Sequence, residues 1–205
     1  MKSTTFFSLF LLSAFATYLP STTVGFVLDT DGNPVVNGGV YHITPTVRVI
    51  GNGGGPEFAA TGNETCPLTV VQNPSPFSNG LPVRMSSPAR IPFISEGLNL
   101  NIGFLFVPPC ASTPSIWTVV KGLGKRLSVK LTGYDNTIPG WFRIKTFGFG
   151  SYSLVFCPNR GTCGYVGIDN KRRFVVTKTE ERRLPILFKR LSDASTATAT
   201  ATATA

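Results

Sequence analysis

Histidine occurs once in this 205-residue chain, at His42; acidic side chains number 10, and charged residues of both signs reach only 14%. Most of the groups that move protons in enzymes are therefore scarce. His42 stands beside Tyr41 in an apolar run and reads as an ordinary strand residue. The carboxylates Asp29, Asp31, Glu57, Glu64 and Glu96 are scattered, with no evident acid–base pair. No Gly-x-Ser-x-Gly elbow leads into a helix, and no Cys-x-x-Cys or His–Cys arrangement offers a metal cage. Gly51-Asn52-Gly53-Gly54-Gly55 lacks the Lys and Ser/Thr that complete a phosphate-binding loop, and it reads as a mobile surface turn. An apolar period of 3.6 residues is nowhere sustained over three turns, so α-helix should be almost absent. Beyond the N-terminal leader no apolar run approaches the ~20 residues that crossing a bilayer requires. The sequence is not that of an enzyme, and no cofactor, metal, membrane or nucleic-acid partner is expected; it has neither a catalytic set nor a basic face with stacking aromatics.

What the chain has in quantity is apolar and turn-forming: 42% hydrophobic residues with 16 Phe, 5 Tyr and 2 Trp, punctuated by 21 Gly and 16 Pro. Short runs rich in β-branched and aromatic residues alternate with Gly, Pro, Asn and Asp, which is the pattern of strands and turns. Strands are expected at Phe26–Leu28, Val40–Ile43, Leu68–Val71, Trp117–Val120, Leu127–Leu131, Trp141–Ile144, Tyr152–Phe156, Phe174–Thr177 and Ile186–Phe188. A weak repeat runs through them. Tyr41-His42-Ile43, Ile91-Pro92-Phe93 and Phe142-Arg143-Ile144 start 50 and then 51 residues apart. Leu68-Thr69-Val70-Val71 and Trp117-Thr118-Val119-Val120 recur at 49, and Ser153-Leu154-Val155-Phe156 follows 36 later. Three such units nearly fill the chain between its termini, predicting an all-β protein, a three-fold β-trefoil barrel.

The termini read differently. Residues 1–24 begin with Lys2 and an apolar run from Phe6 to Leu19, broken by Ser8, Ser13 and Thr17 and followed by Pro20, as in a secretory signal peptide. Cleavage after Ala16 and cleavage near Val24 both fit. The folded domain spans 25–193, and the Thr/Ala alternation of 194–205 has no large apolar side chain to bury and should stay disordered. An export route makes Cys66, Cys110, Cys157 and Cys163 a two-disulfide set. Cys157 and Cys163 lie six positions apart around a turn sequence and suit a local bridge, which leaves Cys66 with Cys110. Asn63-Glu64-Thr65 is a glycosylation sequon. With 19 basic side chains the net charge is +9, fitting an anionic partner or one with an anionic pocket.

One resemblance is specific. Val27-Leu28-Asp29-Thr30-Asp31-Gly32-Asn33-Pro34-Val35, followed by Tyr41-His42-Ile43, resembles the N-terminal signature of plant Kunitz-type protease inhibitors, the soybean trypsin inhibitor family. The likeness continues through Thr61–Gln72, Ser86–Gly97, Gly140–Arg143, Leu154–Pro158 and Arg172–Val176, nearly the whole mature chain. It implies a β-trefoil with two disulfides in the pairing above. It also implies a substrate-like reactive loop, Ser87, Pro88, Ala89, Arg90, Ile91 and Pro92, with the scissile bond at Arg90–Ile91 and Arg90 entering the pocket of a trypsin-like serine protease. By the same likeness Asn37 packs beneath the loop and hydrogen-bonds its carbonyls. Pro92 departs from the pattern, because the residue it replaces normally donates a backbone N–H to the protease.

The expectation is a secreted or vacuolar monomer that inhibits a trypsin-like serine protease. The family also holds miraculin-like and storage proteins, and Lys171-Arg172-Arg173, Arg182-Arg183 and Lys189-Arg190 suggest an alternative as a carbohydrate-binding trefoil. A cysteine protease or an amylase is a further alternative target, for which no residue stands out.

Overall fold

Side chains branched at Cβ lose little by lying on a pleated surface, and the frequent Gly and Pro stop every run after a few residues. The outcome in the computed structural model, which describes residues 25–47, 53–122 and 127–191, is thirteen short strands. They are β1 (Val40–Pro45), β2 (Pro56–Ala59), β3 (Thr69–Gln72), β4 (Val83–Ser86), β5 (Asn101–Phe104), β6 (Trp117–Lys121) and β7 (Leu127–Leu131). β8 (Thr137–Ile138), β9 (Gly140–Gly148), β10 (Ser151–Pro158), β11 (Gly164–Ile168), β12 (Phe174–Thr177) and β13 (Ile186–Arg190) complete them. A 3-10 turn at Glu180–Arg182 is present, and no α-helix occurs among the described residues. The leader, 1–24, and the tail expected at 194–205 lie outside the described residues, as does the end of the expected domain beyond residue 191.

Every strand pairing is antiparallel. The order is β2-β3-β7-β12-β11-β10-β13-β1-β4-β5, with β6 on β7 and β8, and β9 on β10. Strands alone do not close this ladder, but a bridge between Gly103 and Ile116 carries β5 to the approach of β6, which pairs with β7. The sheet thus bends back on itself in the trefoil arrangement. Its interior is set by Trp117, whose ring centroid lies 5.4 Å from Phe104, 5.7 Å from Phe174 and 6.2 Å from Phe142. Phe142 in turn meets Phe156 at a tilt, with ring centroids 5.3 Å apart, so strands far apart in sequence meet in one aromatic cluster.

Several expectations change on contact with the structure. Phe26–Leu28 is not a strand: it makes isolated bridges, Phe26 to Ser95 and Leu28 to Pro34. Ile91–Phe93, the middle member of the weak repeat, is a loop with one bridge, Val36 to Phe93; Pro92 has no N–H with which to continue a ladder. Of the surface turn expected at Gly51–Gly55, Gly51 and Asn52 lie outside the described residues, while Gly53, Gly54 and Gly55 are buried. A Cβ on Gly55 would sit 2.0 Å from the Asn79 carbonyl oxygen, and Gly55 N–H donates to the Ser78 carbonyl at 3.0 Å, so glycine serves close packing there. The strands β2, β4, β5, β8 and β11 go unmarked in the sequence because Pro, Gly, Arg or a run of only two residues breaks their patterns.

One polar cluster ties the turn after β2 to β7. The Glu64 carboxylate accepts hydrogen bonds from Thr61 N–H at 2.9 Å, from Thr69 Oγ1 at 2.8 Å and from Tyr134 Oη, and it is ion-paired with Lys130. Burial alone would raise the Glu64 pKa, but these donors, Lys130 first, outweigh it and hold it below the usual carboxylate range. Burial and the bond to Glu64 push the Tyr134 phenol well up. A carboxyl whose folded pKa is depressed stabilises the fold above its ordinary pKa of about 4.3 and loses that contribution as pH falls through the folded value. Half-buried His42, which burial lowers, acts in the same direction, since the folded state resists its protonation below about 6.5. Stability should therefore fall on acidification in two steps, histidine first and carboxylate second. Glu64→Gln should cost about 1–3 kcal/mol at pH 7 and shrink the second step to the part contributed by Asp169, whose carboxyl, against burial, Arg173 holds below the usual range, as read by thermal melts from pH 7 to pH 3. An unchanged acid profile would remove the cluster from this account.

Candidate functional site

Between β4 and β5 the chain leaves the sheet, and residues 88–90 stand exposed to solvent. Loops of this size ordinarily fluctuate unless something below them satisfies their backbone. Here that support is Asn37, half-buried in the segment leading to β1. Its Nδ2 donates to the carbonyls of Ser87 at 3.3 Å, Ala89 at 3.1 Å and Ile91 at 3.0 Å. Its Oδ1 accepts the Ser87 N–H at 2.7 Å, and its backbone N–H donates to the Pro92 carbonyl at 2.8 Å. Two amide protons are thus shared among three acceptors, and one side chain spans the loop from end to end.

The sequence of acceptors dictates the shape. Carbonyls two residues apart face the same side of an extended chain, so those of 87, 89 and 91 meet Asn37 while those of Pro88 and Arg90 face away. Ile91 N–H donates to the Ala89 carbonyl at 2.9 Å, a three-residue turn with Arg90 at its apex. The positive-φ non-glycine residues among those described are Phe149 and Arg172, so the turn at Arg90 is the relaxed, inverse form. Pro88 fixes its own φ and biases Ser87 toward extended backbone. Ser87 Oγ accepts the Ala89 N–H at 3.3 Å.

Asn37 is itself held. Val36 N–H donates to Tyr41 Oη at 2.9 Å, and Tyr41 is fully buried. Gly38 has φ +81, a conformation that side-chain-bearing residues rarely adopt, and its N–H donates to the Met85 carbonyl at 2.7 Å. At Gly39 an added Cβ would lie 2.7 Å from the Tyr41 ring. On the other side, Val27 N–H donates to the Ile94 carbonyl at 3.0 Å and Ile94 N–H to the Val35 carbonyl at 2.8 Å, tying the far end of the loop to the N-terminal segment. Asp29 Oδ1 closes the turn of that segment by accepting from Asp31 and Asn33 N–H groups.

Of the residues singled out in the sequence, Asn37 and Ser87–Pro92 thus lie together. The disulfides join Cys66 to Cys110, with Cα atoms 5.8 Å apart, and Cys157 to Cys163, at 4.1 Å. The first spans the loop in sequence, so a break at position 90 leaves both halves covalently joined. Asn63 is exposed next to Gly62, whose φ is +64. The basic runs do not form one patch. Arg173 is paired with Asp169 at 2.7 Å, Arg183 with Glu180 at 2.7 Å, and Lys189 and Arg190 lie on β13 against β1. The supporting roles of Tyr41, Gly38 and the Pro92 carbonyl were missed by sequence reasoning. Only the Gly38-Gly39 pair gave a local sign of a special backbone.

A model of legume Kunitz-type sequences described as "Trypsin and protease inhibitor" matches residues 27–190. Trypsin inhibitor A from Glycine max is 42% identical over 212 residues, covering 96% of this chain and 95% of the relative. Trypsin inhibitor DE-3 from Erythrina variegata is 41% identical over 172 residues, 80% of this chain and 97% of the relative. Among solved structures, soybean trypsin inhibitor superposes with a TM-score of 0.73 at 38% identity, covering 82% of this chain and all of that one. A complex of porcine pancreatic trypsin with soybean trypsin inhibitor gives a TM-score of 0.72 at 38% identity, with the same coverage of 82% and 100%.

Loss of the Asn37 amide should loosen the loop without unfolding the sheet. In Asn37→Ala the Ser87 amide, which now has no acceptor, should exchange with solvent at least tenfold faster, while amides of β10 and β13 keep their protection. Equal Ser87 protection in the variant would show that the loop is stiff for another reason.

Proposed function

The chain belongs to the Kunitz-type family of trypsin and protease inhibitors, and from that premise we propose that it blocks trypsin-like serine proteases by offering the Arg90–Ile91 bond as a substrate the enzyme cannot release. It is an inhibitor and not an enzyme. The observation that carries the assignment of the bond is the Asn37 amide bound to three alternate carbonyls around Arg90. A flexible peptide loses conformational entropy when it enters an active site, whereas a loop already extended loses little, and that difference appears as affinity. Arg90, at the exposed apex, suits a primary pocket that ends in a carboxylate, where a desolvated charge pair acts as a hot spot.

Persistence under attack follows from the same support. When the protease serine adds to the Arg90 carbonyl and the bond to Ile91 nitrogen breaks, the new amine is held in place. The Ile91 carbonyl is bonded to Asn37, the Pro92 carbonyl to Asn37 N–H, and the Cys66–Cys110 bridge keeps the two halves joined. The amine remains at high effective concentration next to the acyl carbon, so religation competes with hydrolysis. Pro92 removes one N–H from the set open to the protease, at a cost of about 0.5–1.5 kcal/mol, while its fixed φ adds stiffness. The leader-like residues 1–24 and the two disulfides support export to a secreted or vacuolar location, and exposed Asn63 supports glycan attachment there. The unit of action is one monomer per protease.

Arg90→Ala should weaken trypsin binding by about 2 kcal/mol or more, roughly thirtyfold, in a tight-binding titration, and Arg90→Lys should retain most of it. Sequencing of any nicked product should give a new N-terminus at Ile91. Undiminished inhibition by Arg90→Ala, or a nick elsewhere, defeats the assignment. Pro92→Ala should tighten binding by about 0.5–1.5 kcal/mol in the same titration, because it restores an N–H that the enzyme can bind; equal or weaker binding would show that stiffness from Pro92 counts for at least as much as that hydrogen bond.

A further inference from the structure

Two adjoining hollows open on the face formed by β11, β12 and the Glu180–Arg182 turn, four and five strand spacings along the sheet from β4 and the loop that follows it. The larger has a volume of about 810 Å³ and the smaller about 530 Å³, and they share Ile168, Asp169 and Asn170. The larger has three kinds of wall. Leu127, Val175 and Val176 are apolar; Asn170 and Thr177 bring an amide and a hydroxyl; Lys178 and Arg182 bring exposed cations. Arg172 lines the smaller hollow, held at φ +61 with its carbonyl accepting from Gln72 N–H at 2.7 Å.

The charge balance of this face is one-sided. Asp169, the carboxylate within the hollows, is consumed: its Oδ2 accepts from Arg173 Nη2 at 2.7 Å and Nε at 2.9 Å, and its Oδ1 from two backbone N–H groups. Glu180 is paired with Arg183, whose guanidinium also lies 4.1 Å above the Phe147 ring. Glu181 is exposed beside Arg182 and lines neither hollow. Among the described residues Lys178 and Arg182 have no carboxylate within ion-pair distance, and the guanidinium of Arg172 has only the Pro74 carbonyl, at 3.5 Å.

We propose that these hollows bind an anionic polysaccharide, a sugar chain bearing sulfate or carboxylate groups. The apolar wall takes the C–H face of a sugar ring, Asn170 and Thr177 take its hydroxyls, and Lys178 and Arg182 take the anionic substituent. Arg172 meets the anion of the neighbouring sugar. Nucleic acid fits less well, because no aromatic side chain lines either hollow to stack a base. Since the hollows and the reactive loop lie on separate strands of the sheet, a protease and a polysaccharide can occupy the protein together.

Immobilised heparin and immobilised polygalacturonate are the probes, eluted with a salt gradient. The double variant Lys178→Glu/Arg182→Glu should elute at markedly lower salt on at least one matrix, and the dependence of affinity on salt should fall by about two charges. Lys178→Gln/Arg182→Gln should shift in the same direction by about half as much. Lys145→Glu/Arg160→Glu changes two exposed cations outside the hollows by the same amount of charge and should shift much less. Equal shifts for the two charge-reversed variants would reduce the effect to net charge and overturn the proposal, as would tighter binding to a single-stranded oligonucleotide than to either polysaccharide. Trypsin titration of the same variants should be unaltered, so the outcome is independent of the reading of Arg90.

Discussion

A single carboxamide supports the exposed loop. Asn37 offers two protons and one oxygen, and all are turned toward the backbone between Ser87 and Ile91. No charged group substitutes for it. A carboxylate at that position has no proton to give to three carbonyls, and an ammonium has no lone pair for the Ser87 N–H. The requirement extends outward, because the amide positions the loop only if its own Cα is fixed. Tyr41, Gly38 and the bonds between Val27, Val35 and Ile94 provide that fixity.

Behind this frame stands the core, whose role is mechanical as well as thermodynamic. Trp117 gathers Phe104, Phe142 and Phe174 from β5, β9 and β12, and close packing of such rings leaves little room for the sheet to deform. A loop built on a rigid sheet inherits its rigidity, and rigidity distinguishes an inhibitor from a substrate of similar sequence. The Cys66–Cys110 bridge adds covalent insurance around the same loop, and model-dependent estimates give closure of a loop of this length about 4 kcal/mol.

The molecule divides its surface by chemistry. Around Arg90, the proposed contact for a protease is backbone held in place by Asn37, with one cation at its apex. Around β11 and β12 the proposed contacts are side chains, with Lys178 and Arg182 outside any ion pair among the described residues while Asp169 and Glu180 are engaged by Arg173 and Arg183. The sequence shows ten acids against nineteen bases; pairing concentrates the uncompensated charge in particular places. Three basic runs that look alike in the chain separate into paired cations, Arg173 and Arg183, strand-borne ones, Lys189 and Arg190, and cations outside any ion pair among the described residues, Arg172 and Arg182.

Composition and pattern were enough for much of this protein. The lack of helical periodicity, the density of β-branched and aromatic runs and the recurrence near fifty residues determined an all-β trefoil, because strand formation depends on residue type and alternation that are local in the chain. The resemblance at Ser86–Gly97 marked the loop, and that of the N-terminal segment from Val27 to Ile43 marked Asn37. Tertiary structure alone decided the rest. Which carbonyls Asn37 meets depends on residues about fifty positions away; whether Gly53–Gly55 is a surface turn or buried depends on Asn79 lying over it. The strands β4 and β5, with Pro, Gly or charge in or beside them, became strands because partners were there to satisfy their backbones. Hydrogen bonds and ion pairs are satisfied in space, and a linear sequence does not specify which group will be opposite another once the sheet has curled.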